Sequence, residues 1–169
     1  MSDSRPQKNA EEITTWNFVF PNQTNPYGTM FGGELLAIMD STAALAAIRF
    51  AERTVSTVAA EVVKFKHPIV VGDRIKTVAK VVLTGSTSVM VRTDVYLDMG
   101  SGEKEKHCTS AHFALVAFDD ARKPVQVPGL IVNDSNQRDY KQALAIKEHA
   151  QRRDGRIQDL VEAFPRDSD

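Results

Sequence analysis

Hydrophobic and polar positions follow two different periods along this chain. Between residues 35 and 48 the side chains are apolar or small, with one ionisable exception, Asp40. Such a run predicts a helix over about residues 32–53 that protein wraps on most of its faces. Residues 87–97 alternate instead: Val89, Val91, Thr93, Val95 and Leu97 take turns with Met90, Arg92, Asp94 and Tyr96, the period of a sheet with one covered face. Strand-like stretches at 55–66, 74–84 and 104–118, and a shorter one at 12–20, complete the pattern.

The breaks between these runs carry turn chemistry: Asn25 to Gly28, His67-Pro68 with Gly72-Asp73, Gly85-Ser86, and Met99-Gly100-Ser101-Gly102. This order implies an antiparallel meander after the helix, and a helix that apolar needs a sheet curled around it, an α+β arrangement. From Ser135 the character changes. Asn136 is placed to cap a charged segment with a sparse apolar face at Tyr140 and Leu144, a surface helix ending near Asp154-Gly155. The expected division is a loose tail over 1–11, one domain over 12–132, and a helical extension with its own tail over 133–169.

Composition narrows the picture. A chain of 169 residues with 42% hydrophobic and 25% charged content suits one domain with its own core. A formal net charge of -1 gives no electrostatic footprint for nucleic acid or anionic membrane. The single cysteine, Cys108, has no partner for an internal disulfide, residues 1–12 lack the apolar core of a signal peptide, and the apolar stretches fall short of the roughly 20 residues that span a bilayer. The expectation is a soluble, cytoplasmic protein of a reducing compartment, with no nucleic-acid partner and no membrane insertion.

Candidate chemistry converges on Asp40. An ionised carboxylate among apolar neighbours costs several kcal/mol unless it is partnered. Gly32-Gly33 opens the helix with almost no side-chain bulk, where the first amides have no internal acceptor and a ligand oxygen can approach closely. Gly33 and Asp40 lie seven positions apart, about two turns, on one side of the helix. Each feature also has a plainer use: Asp40 as a structural carboxylate at an interface, the glycines as a packing contact, Asn25 as the shaper of its own turn, Thr57 as strand filler.

The string Asn25-Pro26-Tyr27-Gly28-Thr29-Met30-Phe31-Gly32-Gly33, then Met39-Asp40, Phe65-Lys66-His67-Pro68-Ile69 with Val71-Gly72-Asp73, and Gly85-Ser86-Thr87-Ser88 resembles the hotdog-fold acyl-CoA thioesterases over roughly residues 12–130. The resemblance implies a long central helix in a curved antiparallel sheet, two subunits joined into one sheet, and active sites at the dimer interface, in a homodimer or a homohexamer built as a trimer of dimers. It implies that Asp40 is general base or nucleophile, that the Gly33 amide polarises the thioester carbonyl, and that Asn25 and Thr57 are positioning residues, with Asp40 of one subunit meeting Asn25 or Thr57 of its partner. Gly85, Ser86, Thr87 and Ser88 would hold coenzyme A, and Arg74, Lys76, Lys80 and Arg92 its phosphates, although a polar hairpin and a solvated sheet face explain both groups nearly as well.

The physics agrees with these roles. A thioester carbonyl gains negative charge as it becomes tetrahedral, and a fixed amide at a helix start stabilises that charge; a carboxylate takes a proton from water. One departure stands out: Phe31 occupies the place where many hotdog thioesterases carry histidine. A dehydratase needs a histidine with its acid, and none lies in or before the helix, which leaves His67, His107, His112 and His149 to approach Asp40 only through the fold. Cys108 and His112 read as packed strand residues. The sequence therefore predicts hydrolysis of an acyl-CoA to acid and coenzyme A, with no metal and no cofactor beyond the coenzyme A of the substrate, and the acyl tail in a groove beside the helix whose far end Leu36, Leu45 and partner residues close. The rival reading is a non-catalytic acyl-CoA binding or sensing module.

Overall fold

The computed structural model describes residues 4–100 and 103–163, with residues 156–163 described by backbone alone. Strands β1 (Gln7–Lys8) and β2 (Glu12–Phe18) precede helix α1 (Gly32–Ala51); β3 (Thr54–Phe65), β4 (Arg74–Thr84), β5 (Ser88–Leu97), β6 (Lys106–Phe118) and β7 (Gly129–Leu130) follow, and α2 (Gln137–Ala163) comes last among the described elements. The Ser101-Gly102 part of the expected turn between β5 and β6 lies outside the described residues, as do 1–3 and 164–169 of the expected tails.

Five strands form an antiparallel sheet in the order β2-β4-β5-β6-β3. The expected meander holds for β4 to β6 but not for β3, which pairs with β6 and stands at the far edge from β2. The connection from β3 to β4 crosses beneath the helix start to make this possible. Met30 N–H donates to Ile69 O at 2.7 Å, and Thr29 bridges Val70. Strands β2 and β3 thus form the two edges of the sheet that curls around α1. Bulges between Thr57 and Ala59 and between Glu61 and Lys64 help bend β3, and Val62 takes a positive φ of 52° at the second.

The core lies between the concave sheet face and α1. Leu35, Met39, Thr42, Ala43, Ala46, Ala47 and Phe50 of the helix are buried, and the three alanines keep the helix close to Val89, Val91, Val95, Phe113 and Leu115 of β5 and β6. The expectation that protein covers most faces of α1 is not met within one chain. Leu45 and Ile48 are exposed, in line with exposed Ala37 and Ser41, so a stripe of the helix faces outward.

Residues 4–11, expected as a loose tail, are tied down. β1 pairs with β7 in parallel, and Lys8 Nζ donates to the Arg49 and Phe50 carbonyls at 3.1 and 3.2 Å, capping the end of α1. Helix α2 covers the convex face through Tyr140, Ala143 and Leu144 against Val82, Leu83 and Met90. It runs on past Gly155 to Ala163, because a glycine in an exposed helix weakens it by about 1 kcal/mol without ending it.

Candidate active site

Phe31 caps α1 in an extended conformation, and the chain enters the helix through Gly32 and Gly33. Among the described residues the Gly33 N–H has no backbone acceptor outside the helix, as the first turn requires. Two phenyl rings wall this entrance. A β-carbon on Gly33 would stand 2.7 Å from Cε1 of Phe31, and one on Gly32 would stand 3.3 Å from Cζ of Phe65. Both rings are exposed in the single chain. Glycine is needed here for close approach rather than for an unusual φ.

Strand β3 runs back along the helix, so Phe65 meets Gly32 near the strand's end and Thr57 meets Asp40 near its beginning. The Thr57 hydroxyl donates to Oδ1 of Asp40 at 2.7 Å, and the carboxylate is half-buried. This corrects the expectation that Thr57 serves the Asp40 of a partner: the two residues meet within one chain. Asn25 uses its amide inside its own loop, where Oδ1 accepts from the Tyr27 and Thr29 amides at 3.0 and 3.3 Å and Nδ2 donates to the Thr29 hydroxyl at 2.8 Å. Those bonds hold the loop that delivers Phe31 to the helix start; they do not bring Asn25 to Asp40.

A cleft of about 410 Å³ opens beside the helix start between Thr29, Gly32, Leu35, Phe65 and His67. A second groove, about 280 Å³, runs between β2 and the outward stripe of α1, lined by Asn17, Ala37, Ile38, Ser41 and Leu45. Leu45 therefore stands where the acyl tail was expected, whereas Leu36 packs against the core. Size does not mark the site: a hollow of about 720 Å³ lies at the other end of α1, among Ile48, Glu52, Arg53 and Asp119.

The hairpin expected to hold coenzyme A lies apart from Asp40 in the chain. Gly85 O accepts from Arg5, Ser86 O from the Val127 amide at 2.9 Å, and Thr87 O from the Ala117 amide at 2.9 Å, which places the hairpin with the segment that packs near the C-terminal end of α1. Of the basic residues named for the phosphates, Arg74 pairs with Asp98 at 2.9 Å, Lys76 with Glu105 at 3.0 Å, and Arg92 with Asp94 and Asp139 at 2.7 and 2.8 Å. Their charges are already matched by acids.

The fold brings no described histidine into a hydrogen bond with Asp40. His107 bonds Asp94 and Lys66 on the convex face. His112 is buried between Arg92 and Glu61 of the neighbouring strands, and burial holds its basicity below the usual histidine value. Cys108 is a buried free thiol, pushed up in pKa by that burial, as a packed strand residue should be. Periodicity could not have found the Phe65 wall or the Thr57 contact, since both depend on how β3 folds back; the Phe65-Lys66-His67-Pro68 string was the available signal.

The model of the thioesterase superfamily matches residues 27–102. A protein named an uncharacterized acyl-CoA thioester hydrolase from Zymomonas mobilis is 35% identical over 126 residues, covering 75% of this chain and 85% of that one. Among solved structures, the acyl-CoA hydrolase of Staphylococcus aureus in complex with butyryl coenzyme A, coenzyme A and coenzyme A disulfide is 30% identical, with a TM-score of 0.88, covering 95% of this chain and 100% of that one. It has also been solved with an aspartate, an asparagine and a threonine each changed to alanine. An apo-hexameric acyl-CoA thioesterase is 32% identical with a TM-score of 0.82, covering 88% and 97% of the two chains.

Proposed function

The chain belongs to the hotdog-fold thioesterase superfamily, among its acyl-CoA thioester hydrolases, and from that premise we propose that it hydrolyses acyl-CoA to a free acid and coenzyme A through Asp40 and the Gly33 amide. The observation that carries this reading is the pairing of a carboxylate held by Thr57 at 2.7 Å with a glycine-opened helix start on the same side of the helix. The carbonyl oxygen of the thioester sits at the Gly33 N–H, where charge developing in the tetrahedral intermediate meets an already oriented dipole. Asp40 activates water or attacks the carbonyl itself, and the Thr57 hydroxyl fixes which carboxylate oxygen remains free. Phe31 replaces a hydrogen-bonding ring by an apolar one, so polarisation at this point rests on the backbone.

The residues changed to alanine in the staphylococcal hydrolase fall at the same intervals along its chain as Asn25, Asp40 and Thr57 do here, which supports assigning all three to the site. Asn25 acts from its loop, and Gly85 to Ser88 contact coenzyme A from a second copy. A two-fold pair with antiparallel helices would carry the hairpin of one chain, near the end of its α1, toward the helix start of the other. The open outer edge of β3 and the outward stripe of α1 are surfaces such a pair would cover. A hexameric neighbour supports assembly as a trimer of dimers. No described helix is long and apolar enough to cross a membrane, and a cytoplasmic setting suits the unpaired thiol of Cys108.

Thiol release from acetyl-, butyryl- and palmitoyl-CoA tests the proposal and sets the chain-length preference. Absence of release from all three, with binding intact, would favour the sensing module.

A further inference from the structure

On the convex face, away from Asp40, three side chains form a relay that the thioesterase chemistry does not use. Asp94, buried to 8% exposure, accepts from Nε2 of His107 at 2.9 Å, and Nδ1 of the same ring lies 3.0 Å from Nζ of Lys66. One tautomer satisfies both bonds: a neutral imidazole with its proton on Nε2, which leaves the Nδ1 lone pair facing the amine. The acid is itself fixed, because Arg92 donates to its two oxygens at 2.7 and 3.3 Å and is held in turn by Asp139 of α2 at 2.8 Å. Tyr96 packs its ring against the imidazole at 5.1 Å between centroids. Carboxylate, oriented base and nucleophile in hydrogen-bonded sequence is the arrangement that activates a side chain for acyl transfer.

We propose that Lys66 is a self-acylation site, taking an acyl group from a thioester with His107 as its base. The amine nitrogen attacks the thioester carbonyl, the N–C bond forms, the C–S bond breaks, and the thiol leaves as its thiolate. The Lys66 ammonium first gives one proton through Nδ1 of His107 to solvent, which frees the lone pair for the attack; the proton the attack leaves on nitrogen follows the same route to the departing thiolate, and Asp94 stabilises the imidazolium each time. The product is an amide that removes one positive charge. Lys66 is placed for this: its backbone is anchored by the Cys108 carbonyl at 2.8 Å and its side chain is exposed.

The acyl-CoA donor is taken from the function proposed above, so the test separates the two. The Asp40→Asn variant, chosen to preserve the donor, is incubated with butyryl-CoA or with the butyryl thioester of N-acetylcysteamine, a small donor that needs no nucleotide site. Peptide mass spectrometry follows butyryl-lysine at Lys66 and at exposed Lys64, Lys104 and Lys123. Lys66 should react at least about tenfold faster than the other three, a modest share of what a positioned base supplies. His107→Gln should lower Lys66 to their rate while leaving theirs unchanged. Equal rates at all four lysines with both donors in the parent variant, or a Lys66 rate indifferent to His107→Gln, would overturn the proposal. Preference for Lys66 with the small donor but not with butyryl-CoA would sustain the relay and count against the acyl-CoA reading instead.

Discussion

Asp40 and Gly33 act through different atoms, and substitution separates them. Asp40→Asn keeps an oxygen for the Thr57 hydroxyl but removes the charge, so fold and binding should persist while kcat falls at least about a hundredfold in a thiol-release assay. Retained turnover would remove Asp40 from the mechanism. Gly33→Ala makes a sharper case. The added methyl meets the rim of an exposed Phe31 ring, which swings aside at little expense, and alanine is the better helix former. The variant should therefore melt no lower than the parent yet hydrolyse at least about tenfold more slowly, because methyl and displaced ring obstruct the amide that serves the oxyanion. A loss of stability in parallel with activity would return the glycine to a packing role.

At the scale of elements, β3 and α2 depend on each other. β3 pairs on one side only, is interrupted by two bulges, and carries Glu61 between them at 8% exposure. Arg153 of α2 donates to both Glu61 oxygens at 2.9 Å, which clamps the strand just beyond Thr57. Breaking such a pair from one side leaves a buried charge unmatched, whereas removing both charges does not. Arg153→Gln should lower the melting temperature, and adding Glu61→Gln should restore part of it. An additive double variant would show that the two side chains are not coupled.

For the whole molecule, one surface and one buried ring set the expectations. Leu45→Glu places a charge on the outward stripe of α1; it should shift the mass measured by light scattering toward the single chain and reduce activity with it. Undiminished assembly would show that this stripe is not covered by a second copy. His112, at 3% exposure with neither ring nitrogen hydrogen-bonded, faces Arg92, Asp94 and Asp139, and burial lowers its pKa below the ordinary 6.5. The unfolded chain then binds the proton more readily than the folded one. Stability from this residue is complete above about pH 6.5 and declines as pH falls through that value, levelling off below the lowered folded pKa. His112→Phe should flatten the acid side of the melting-temperature profile in that window, and an unchanged profile would assign the acid loss to other groups.

What the chain wrote locally was readable without coordinates: the helix opened by Gly32-Gly33, Asp40 as its one acid between residues 35 and 48, the strand periods, and the turns at Gly72-Asp73 and Gly85-Ser86. These follow from dihedral preferences and from the cost of burying charge, both settled within a few residues. Only the tertiary structure decided that β3 crosses to the far edge, that Thr57 therefore meets the Asp40 of its own chain, that Phe31 and Phe65 wall the helix start, and that Lys66, His107 and Asp94 line up on the convex face. Those contacts join residues distant in sequence, and periodicity reports which side of an element is buried without naming the element that buries it.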